Sequence, residues 1–158
     1  MAMVGSEKLQ NLGTTPEGVR TAEGKRLTVR VFSFSFHRDG LPKDETGNGG
    51  GFVFDTRSLP NPGREERFKN LTGKDAPVAE YLNQQARVHD FLRNVTSLVD
   101  ESISSYQGRG FTNLMVSFGC TGGQHRSVYL AEQLAARLRL KNGIEVIVRH
   151  NELEKMGR

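Results

Sequence analysis

Apolar and polar residues alternate over residues 26–34, and a period of two with β-branched and aromatic side chains predicts a strand. Shorter apolar runs predict three more strands, at residues 52–54, 111–118 and 144–148. The run at 111–118 is the best candidate for a buried strand.

Two stretches have apolar residues at three- and four-residue steps, which is the period of a helix. The first predicts one long helix from Pro77 to just before Gly108, with proline in its first turn. The second predicts a helix over residues 126–140, which Asn142 and Gly143 end. The stretch from Thr56 to Ala76 contains two prolines and two glycines, which predicts a long irregular connection.

The order of these elements predicts an α/β fold. The last strand, helix and strand form a parallel βαβ unit, expected to be right-handed. We divide the chain into a flexible leader (1–24), one domain (25–155) and a polar tail (156–158), because 158 residues suffice for a single domain. In parallel sheets ligands bind at the carboxyl ends of strands, so the loop after residues 111–118 is the first candidate site.

Composition narrows the class of protein. No apolar run approaches the ~20 residues of a membrane span, and the N-terminus has no signal-peptide core, so we expect a cytoplasmic protein without a membrane association. The single cysteine excludes an internal disulfide, and the four histidines have no metal-ligand spacing, so neither a metal nor another cofactor is expected. The net charge of +4 is compatible with a phosphate-bearing ligand or a nucleic acid.

The loop that follows the central strand predicts an anion site. Glycines allow a sharp turn, a helix N-terminus presents unpaired amides, and an arginine matches two phosphate oxygens. A tight Gly-Gly turn without a ligand is the alternative, but packing does not require this combination of side chains. The candidate ligand-binding residues in the loop are Cys120, Thr121, Gly122, Gly123, Gln124, His125, Arg126 and Ser127.

The spacing of Cys120, Arg126 and Ser127 is also the C-x5-R-[ST] pattern of cysteine-dependent phosphatases, in which a thiolate attacks phosphorus. In this alternative Cys120 is the nucleophile, Arg126 holds the phosphoryl oxygens, and Asp55 is the candidate general acid. Gly119 stands where those enzymes usually have histidine. We prefer a binding module and keep the phosphatase as the second hypothesis.

Three segments resemble the C-terminal domain of the RapZ (YvcJ) family of RNase adapter proteins: GCTGGQHRSVYLAEQLAARL, FVFDTRSLPNP and LTGKDAPVAEYL. The resemblance covers about residues 27–155. It implies a domain similar to half of a phosphofructokinase, assembled into homo-oligomers. It also implies binding of glucosamine-6-phosphate and, in enteric bacteria, of small RNAs that are presented to a ribonuclease. The P-loop kinase-like domain of full-length members is not matched here, so the chain resembles a stand-alone C-terminal domain, with a kinase-like partner acting in trans as one option.

The resemblance extends the list of candidate residues. The loop residues above match the family's sugar-phosphate loop, and a second motif, D-x-R-x-x-x-N-P, adds Asp55, Arg57, Asn61 and Pro62. His37 and Arg38 lie near a basic pair of the family, across an inserted residue. A cluster of basic residues near the C-terminus is the candidate RNA-binding surface: Arg137, Arg139, Lys141, Arg149 and Lys155.

Overall fold

Four strands pair side by side in one parallel sheet with the order β2-β3-β1-β4 in a computed structural model that describes residues 25–158. The predicted leader lies outside the described residues. The α/β class is confirmed, and each predicted strand is present within two residues of its expected bounds. The strands are β1 (Leu27–Ser35), β2 (Phe52–Asp55), β3 (Asn113–Cys120) and β4 (Ile144–His150).

The helices follow the chain order expected for an α/β fold. They are α1 (Ala76–Asn83), α2 (Ala86–Gly108), α3 (Arg126–Leu138) and α4 (Asn151–Lys155). The long connection after β2 contains two single-turn 3-10 helices, at Pro62–Arg64 and Glu66–Phe68.

The hydrophobic core lies between one face of the sheet and the first three helices. Alternate strand residues such as Val29, Val31 and Val116 face this side and are fully buried. They contact the apolar stripes of the helices, including Val99 and Leu134. The period-two pattern of the strands and the helical pattern between them therefore meet in a single core.

The segment between β1 and β2 covers the opposite face of the sheet. Asp44 in this segment pairs with Arg30 of β1, and its carboxylate also accepts hydrogen bonds from the amides of Thr46 and Gly50. The Thr46 hydroxyl also donates to this carboxylate and contributes most to a pKa of Asp44 that lies far below its ordinary value, and the two amides and Arg30 add to the shift. The glycine-rich segment is thus fixed to the sheet by one buried carboxylate.

The prediction of one helix from Pro77 to just before Gly108 is wrong, because residues 84–85 are not helical and separate α1 from α2. The buried stripe of α1 ends at Leu82 and that of α2 starts at Val88, six residues later. In a continuous helix, residues six positions apart point in directions that differ by about 120°. A single helix therefore could not bury both apolar stripes in the core. The break restores the register.

Residues 151–155 form a further helix, α4, which the sequence pattern did not predict. Leu153 is 2% exposed and Glu152 is 1% exposed, and α4 packs beside the carboxyl end of β1. A five-residue helix carries too few apolar positions to show a period, so the sequence pattern did not reveal it.

Candidate functional site

The sheet order creates a switch point between β1 and β3. The connection after β1 leads to one edge strand, β2, whereas β3 leads through α3 to the other edge strand, β4. Connections that leave in opposite directions open a crevice at the carboxyl ends of the two central strands. The loop of residues 120–127 lies at this crevice, as the sequence predicted.

Two hydroxyl groups from neighbouring strands hold this loop. Ser35, at the end of β1, donates to the carbonyl of Thr121, and Thr56, after β2, donates to the carbonyl of Gly119 at 2.8 Å. The amide of Thr56 donates to the same carbonyl at 2.8 Å. Ser35 and Thr56 are both fully buried, so the entry to the loop is fixed on both sides. The sequence analysis did not identify either residue, although each is a hydroxyl side chain at a strand end.

Gly123 is the glycine that the loop's backbone requires. Its φ is +68°, and a Cβ there would lie 2.5 Å from the Cγ of Glu152. The backbone bends at this point against the buried first turn of α4. Gly119 is required for a different reason, because a Cβ there would lie 2.4 Å from the ring of Phe36. That ring occupies the place next to the loop where the phosphatase pattern has a histidine.

The loop exposes a row of main-chain donors. Within residues 25–158, the amides of Thr121, Gly122, Gln124 and His125 donate to no protein acceptor. The first amides of α3 continue the row, because a helix N-terminus leaves its first N–H groups without carbonyl partners. Such an arrangement attracts an anion through hydrogen bonds and through the helix dipole.

Arg126 is 5% exposed and begins α3. Its Nη1 donates to the carbonyls of Arg57 at 2.8 Å and Leu59 at 3.0 Å, which fixes the guanidinium and ties the loop to the segment after β2. Its Nε is buried and donates to no acceptor among the described residues. Burial lowers the pKa of Arg126, and the Cys120 sulfur opposes that shift. A buried N–H without an acceptor is costly, so this edge of the guanidinium is suited to an anion.

Cys120 lies at the base of the loop and is 3% exposed. Its sulfur accepts a hydrogen bond from the amide of Gly123 at 3.2 Å and lies 3.1 Å from the hydroxyl oxygen of Ser127. The buried residues Cys120 and Ser127 therefore close the loop from below.

Gln124 and His125 connect the loop to the long connection before α1. Gln124 donates to the carbonyls of Lys69 and Leu71, and His125 Nε2 donates to the carbonyl of Phe68 at 2.9 Å. Burial lowers the pKa of His125, although these carbonyls oppose the shift. The role of Gln124 is thus to brace the loop through its side chain.

A cavity of about 180 Å³ opens above the loop. Residues of the predicted anion loop form most of its wall, and Asn61 and Gly63 of the second motif complete it. Asn61 accepts a hydrogen bond from the amide of Gly63 at 2.9 Å and caps the first 3-10 helix. The structure therefore brings the first motif and the end of the second together. The residues that line the cavity are Asn61, Gly63, Cys120, Thr121, Gly122, Gln124, His125 and Arg126.

Asp55 and Arg57 form an exposed ion pair at the same edge of the sheet. Arg57 Nη2 lies 2.7 Å from an Asp55 oxygen, and the guanidinium stacks on the ring of Phe36 with its centre 4.0 Å from the ring centroid. The hydrogen bonds from Arg57 lower the pKa of Asp55, with a smaller contribution from the charge of Arg126. Neither side chain lines the cavity as the structure stands.

His37 is exposed in the turn after β1 and does not line the cavity. Its amide donates to Ser35 Oγ at 3.2 Å. The neighbouring Arg38 lies 3.5 Å from the buried Glu152. This contact connects the turn after β1 to α4. The sequence pattern did not indicate that α4 lies next to the site.

The basic residues predicted to bind RNA do not form one surface. Arg137, Arg139 and Lys141 lie around the C-terminal end of α3. Arg149 lies in the carboxyl half of β4 and Lys155 in α4, roughly 20 Å farther along the strand. Three of them are in ion pairs: Lys141 with Asp100, Arg149 with Glu154, and Lys155 with Glu152 and Asp39.

Among residues 25–158, no cluster of three or more His, Cys, Asp or Glu side chains could hold a metal ion. No helix in the same range has the length and apolar character to cross a bilayer.

The part of the chain that is similar to known proteins nearly coincides with the part that the structure describes. The family model described as the RapZ C-terminal domain matches residues 27–154. A nucleotide-binding protein of Thioalkalivibrio sulfidiphilus is 42% identical over 135 residues, covering 85% of this chain and 45% of that protein. Nucleotide-binding proteins of Xylella fastidiosa and Thermotoga neapolitana are 43% and 38% identical, each over 82% of this chain and over 42% and 44% of their own length. The chain thus spans less than half the length of these relatives.

Proposed function

Because this chain belongs to the RapZ C-terminal domain family, we propose that it is a binding and regulatory domain whose 120–127 loop holds the phosphate of a small molecule. The family assignment supports a binding role. The proposed ligand is glucosamine-6-phosphate or a closely related sugar phosphate, as the resemblance of the loop to the family's sugar-phosphate loop implies.

One observation carries the proposal: among residues 25–158, Arg126 Nε is a buried, charged donor without an acceptor, and it lies beside a row of amides that donate to no acceptor in the same range. A phosphate dianion supplies acceptors to both at once, which offsets the cost of burying the guanidinium. The alternative of a bare turn explains the glycines, but it does not explain why an arginine is buried there with an unpaired N–H.

The sugar part of the ligand would lie towards the carboxyl ends of β1 and β2. Asp55 is 48% exposed there, and its lowered pKa keeps it ionised at neutral pH. An ionised carboxylate is a suitable partner for the ammonium of an amino sugar. Arg57 is tied to it and would move with it on binding.

Calorimetric titration with glucosamine-6-phosphate tests this proposal. We expect saturable binding to the unaltered protein and a loss of at least tenfold in affinity for Arg126→Ala, since the ligand loses a charged donor. Arg137→Ala, which removes an exposed arginine from the same helix, is the matched control and should bind as the unaltered protein does. Equal affinity in Arg126→Ala, or no binding of any sugar phosphate, contradicts the proposal.

We further propose that the bound state alters the affinity for a regulatory partner. Arg126 joins the loop to the carbonyls of Arg57 and Leu59, so a ligand that contacts Arg126 also acts on the segment after β2. The partners that the resemblance implies are a small RNA, a ribonuclease or other regulatory protein, a kinase-like protein in trans, and a second copy of the chain. A small RNA whose affinity is the same with and without saturating glucosamine-6-phosphate would argue against coupling to RNA.

A further inference from the structure

We propose that Cys120 is a nucleophile towards phosphorus, so that this loop cleaves aryl phosphomonoesters while it binds alkyl phosphates such as sugar phosphates without cleaving them. This inference rests on the proposed phosphate site, because the same donors must hold the phosphoryl group.

The position of the Cys120 sulfur is the first observation. Cys120 lines the cavity together with Thr121 and Gly122, whose amides donate to no acceptor in residues 25–158. The sulfur receives the Gly123 N–H at 3.2 Å, and Ser127 Oγ lies 3.1 Å from it. Two groups that can donate hydrogen bonds therefore meet the sulfur, one from the loop and one from α3, and they fix its position at the cavity.

Arg126 gives the second, independent observation. Two carbonyls fix its Nη1, while its Nε is buried without an acceptor in the described part of the chain. Arg126 shares the cavity wall with Cys120. A phosphoryl group that accepts from Nε and from the free amides is placed over the sulfur, and the same donors stabilise the charge of its oxygens as the sulfur attacks.

The reaction balances without a cofactor. The thiolate of Cys120 forms a bond to phosphorus as the bond from phosphorus to the ester oxygen breaks, and the aryl oxide leaves with the electron pair. Water then attacks the cysteinyl phosphate, the bond between sulfur and phosphorus breaks, and inorganic phosphate, one proton and the free thiolate are released.

The restriction to aryl esters follows from the absence of a positioned proton donor at this edge of the sheet in residues 25–158. Asp55 is held as a carboxylate by Arg57, which lowers its pKa. The Nε2 proton of His125 is donated to the carbonyl of Phe68, and burial lowers the pKa of this histidine. A phenolate leaves readily without protonation, whereas the alkoxide of a sugar does not.

A steady-state assay with p-nitrophenyl phosphate at neutral pH tests the inference, with glucosamine-6-phosphate assayed in parallel for release of inorganic phosphate. We expect release of p-nitrophenolate by the unaltered protein, a loss of at least 100-fold for Cys120→Ser, and no cleavage of the sugar phosphate. Acid quenching during turnover should trap one phosphoryl group on the intact protein by mass, and the chain's single cysteine makes its position unambiguous.

The outcomes separate this inference from the proposed function. If calorimetry shows glucosamine-6-phosphate binding to the unaltered protein and to Cys120→Ser but neither cleaves the aryl ester, only the nucleophile is disproved. If Cys120→Ser cleaves as fast as the unaltered protein, the chemistry is not that of Cys120. If no phosphate compound binds, the proposed function and this inference fail together. Ser127→Ala offers a second variant should Cys120→Ser fail to fold. Its turnover of the aryl ester should fall because the sulfur loses the hydroxyl 3.1 Å away, and unchanged turnover would contradict the inference.

Discussion

At Gly123 the main chain combines a left-handed conformation with a close approach to α4. The φ of +68° and the 2.5 Å between a hypothetical Cβ and Glu152 Cγ leave no room for a side chain. Gly122, its neighbour, has no heavy atom within 4 Å of such a Cβ and does not have a positive φ. The loop shape therefore depends on one of two adjacent glycines.

Substitution of these two glycines tests that difference. We expect Gly123→Ala to lower the free energy of unfolding by about 2 kcal/mol or more, because it adds backbone strain to a steric conflict. Gly122→Ala should change it by less than about 0.5 kcal/mol. Urea unfolding of both variants measures the two values, and equal destabilisation would show that the bend at Gly123 is not constrained as described.

The pH dependence of stability tests the burial of His125. Burial lowers the pKa of this histidine in the folded protein, so the unfolded chain takes up the proton first as the pH falls below about 6.5. The stability that depends on a neutral, buried His125 is therefore complete above that pH and is lost progressively below it. We expect the free energy of unfolding to fall more steeply between pH 7 and pH 5 in the unaltered protein than in His125→Gln. Parallel pH profiles for the two proteins would contradict the assignment.

At the scale of single residues, the sequence identified the loop because its chemistry is local. Cys120, Arg126 and Ser127 lie within eight positions, so their meeting around one sulfur follows from one turn. It could not identify Ser35, Thr56 or Glu152, because each reaches the loop from another element. Nor could it show that Arg57 offers its carbonyl to Arg126 while its side chain turns to Asp55.

Among the elements, α4 is short but lies directly against the 120–127 loop. Leu153 anchors this five-residue helix and is 2% exposed, and Glu152 beside it contacts Gly123. Arg158 extends the contact, since its amide donates to the carbonyl of Leu153 and its side chain donates to the carbonyl of Asn70. The C-terminal residues therefore pack behind the 120–127 loop.

Truncation of Leu153 tests the anchoring of α4. We expect Leu153→Ala to destabilise the protein by about 2–4 kcal/mol, the usual cost of a cavity in a packed core. Leu140→Ala is the matched control, because Leu140 is 86% exposed, and it should change stability by less than about 0.5 kcal/mol. Thermal and urea unfolding of the two variants give the comparison, and a Leu153→Ala protein as stable as the control would mean that α4 is not part of the folded core.

The helices and strands were predictable where the pattern of apolar residues is clear. All four strands and α3 follow their patterns, and the six-residue gap between Leu82 and Val88 was a readable sign of the break between α1 and α2. The strand order was not predictable, because nothing local to β1 indicates that it pairs with both β3 and β4. That order creates the switch point on which the site depends.

For the whole molecule, the distribution of charge matters more than its sum. The net charge of +4 includes arginines and lysines that are already paired, and the five basic residues proposed for RNA fall into two groups at opposite ends of the sheet. The five residues therefore do not form one compact cluster. If RNA binds through the C-terminal third, Arg137 and Arg139 at the end of α3 are the stronger candidates, because no carboxylate in residues 25–158 pairs with them.

Salt dependence of RNA affinity tests this assignment. Double substitution Arg137→Gln and Arg139→Gln should reduce the slope of log affinity against log salt by about 1 to 2, as expected when two phosphate contacts are removed. Arg149→Gln and Lys155→Gln, where each cation already has a carboxylate partner, should change it less. A larger change in the slope for Arg149→Gln and Lys155→Gln than for the first pair would place the RNA at the carboxyl end of β4.

The central claim is that the free amides of the 120–127 loop, together with Arg126, hold a phosphate group. A ¹⁵N-¹H NMR titration with glucosamine-6-phosphate observes those amides directly. The account predicts saturable shifts at Thr121, Gly122, Gln124 and His125 and at the Nε–H of Arg126, with little change at Lys25 and Phe111 at the opposite end of the sheet. Unmoved loop amides at saturating ligand, or shifts confined to the far end of the sheet, would contradict it.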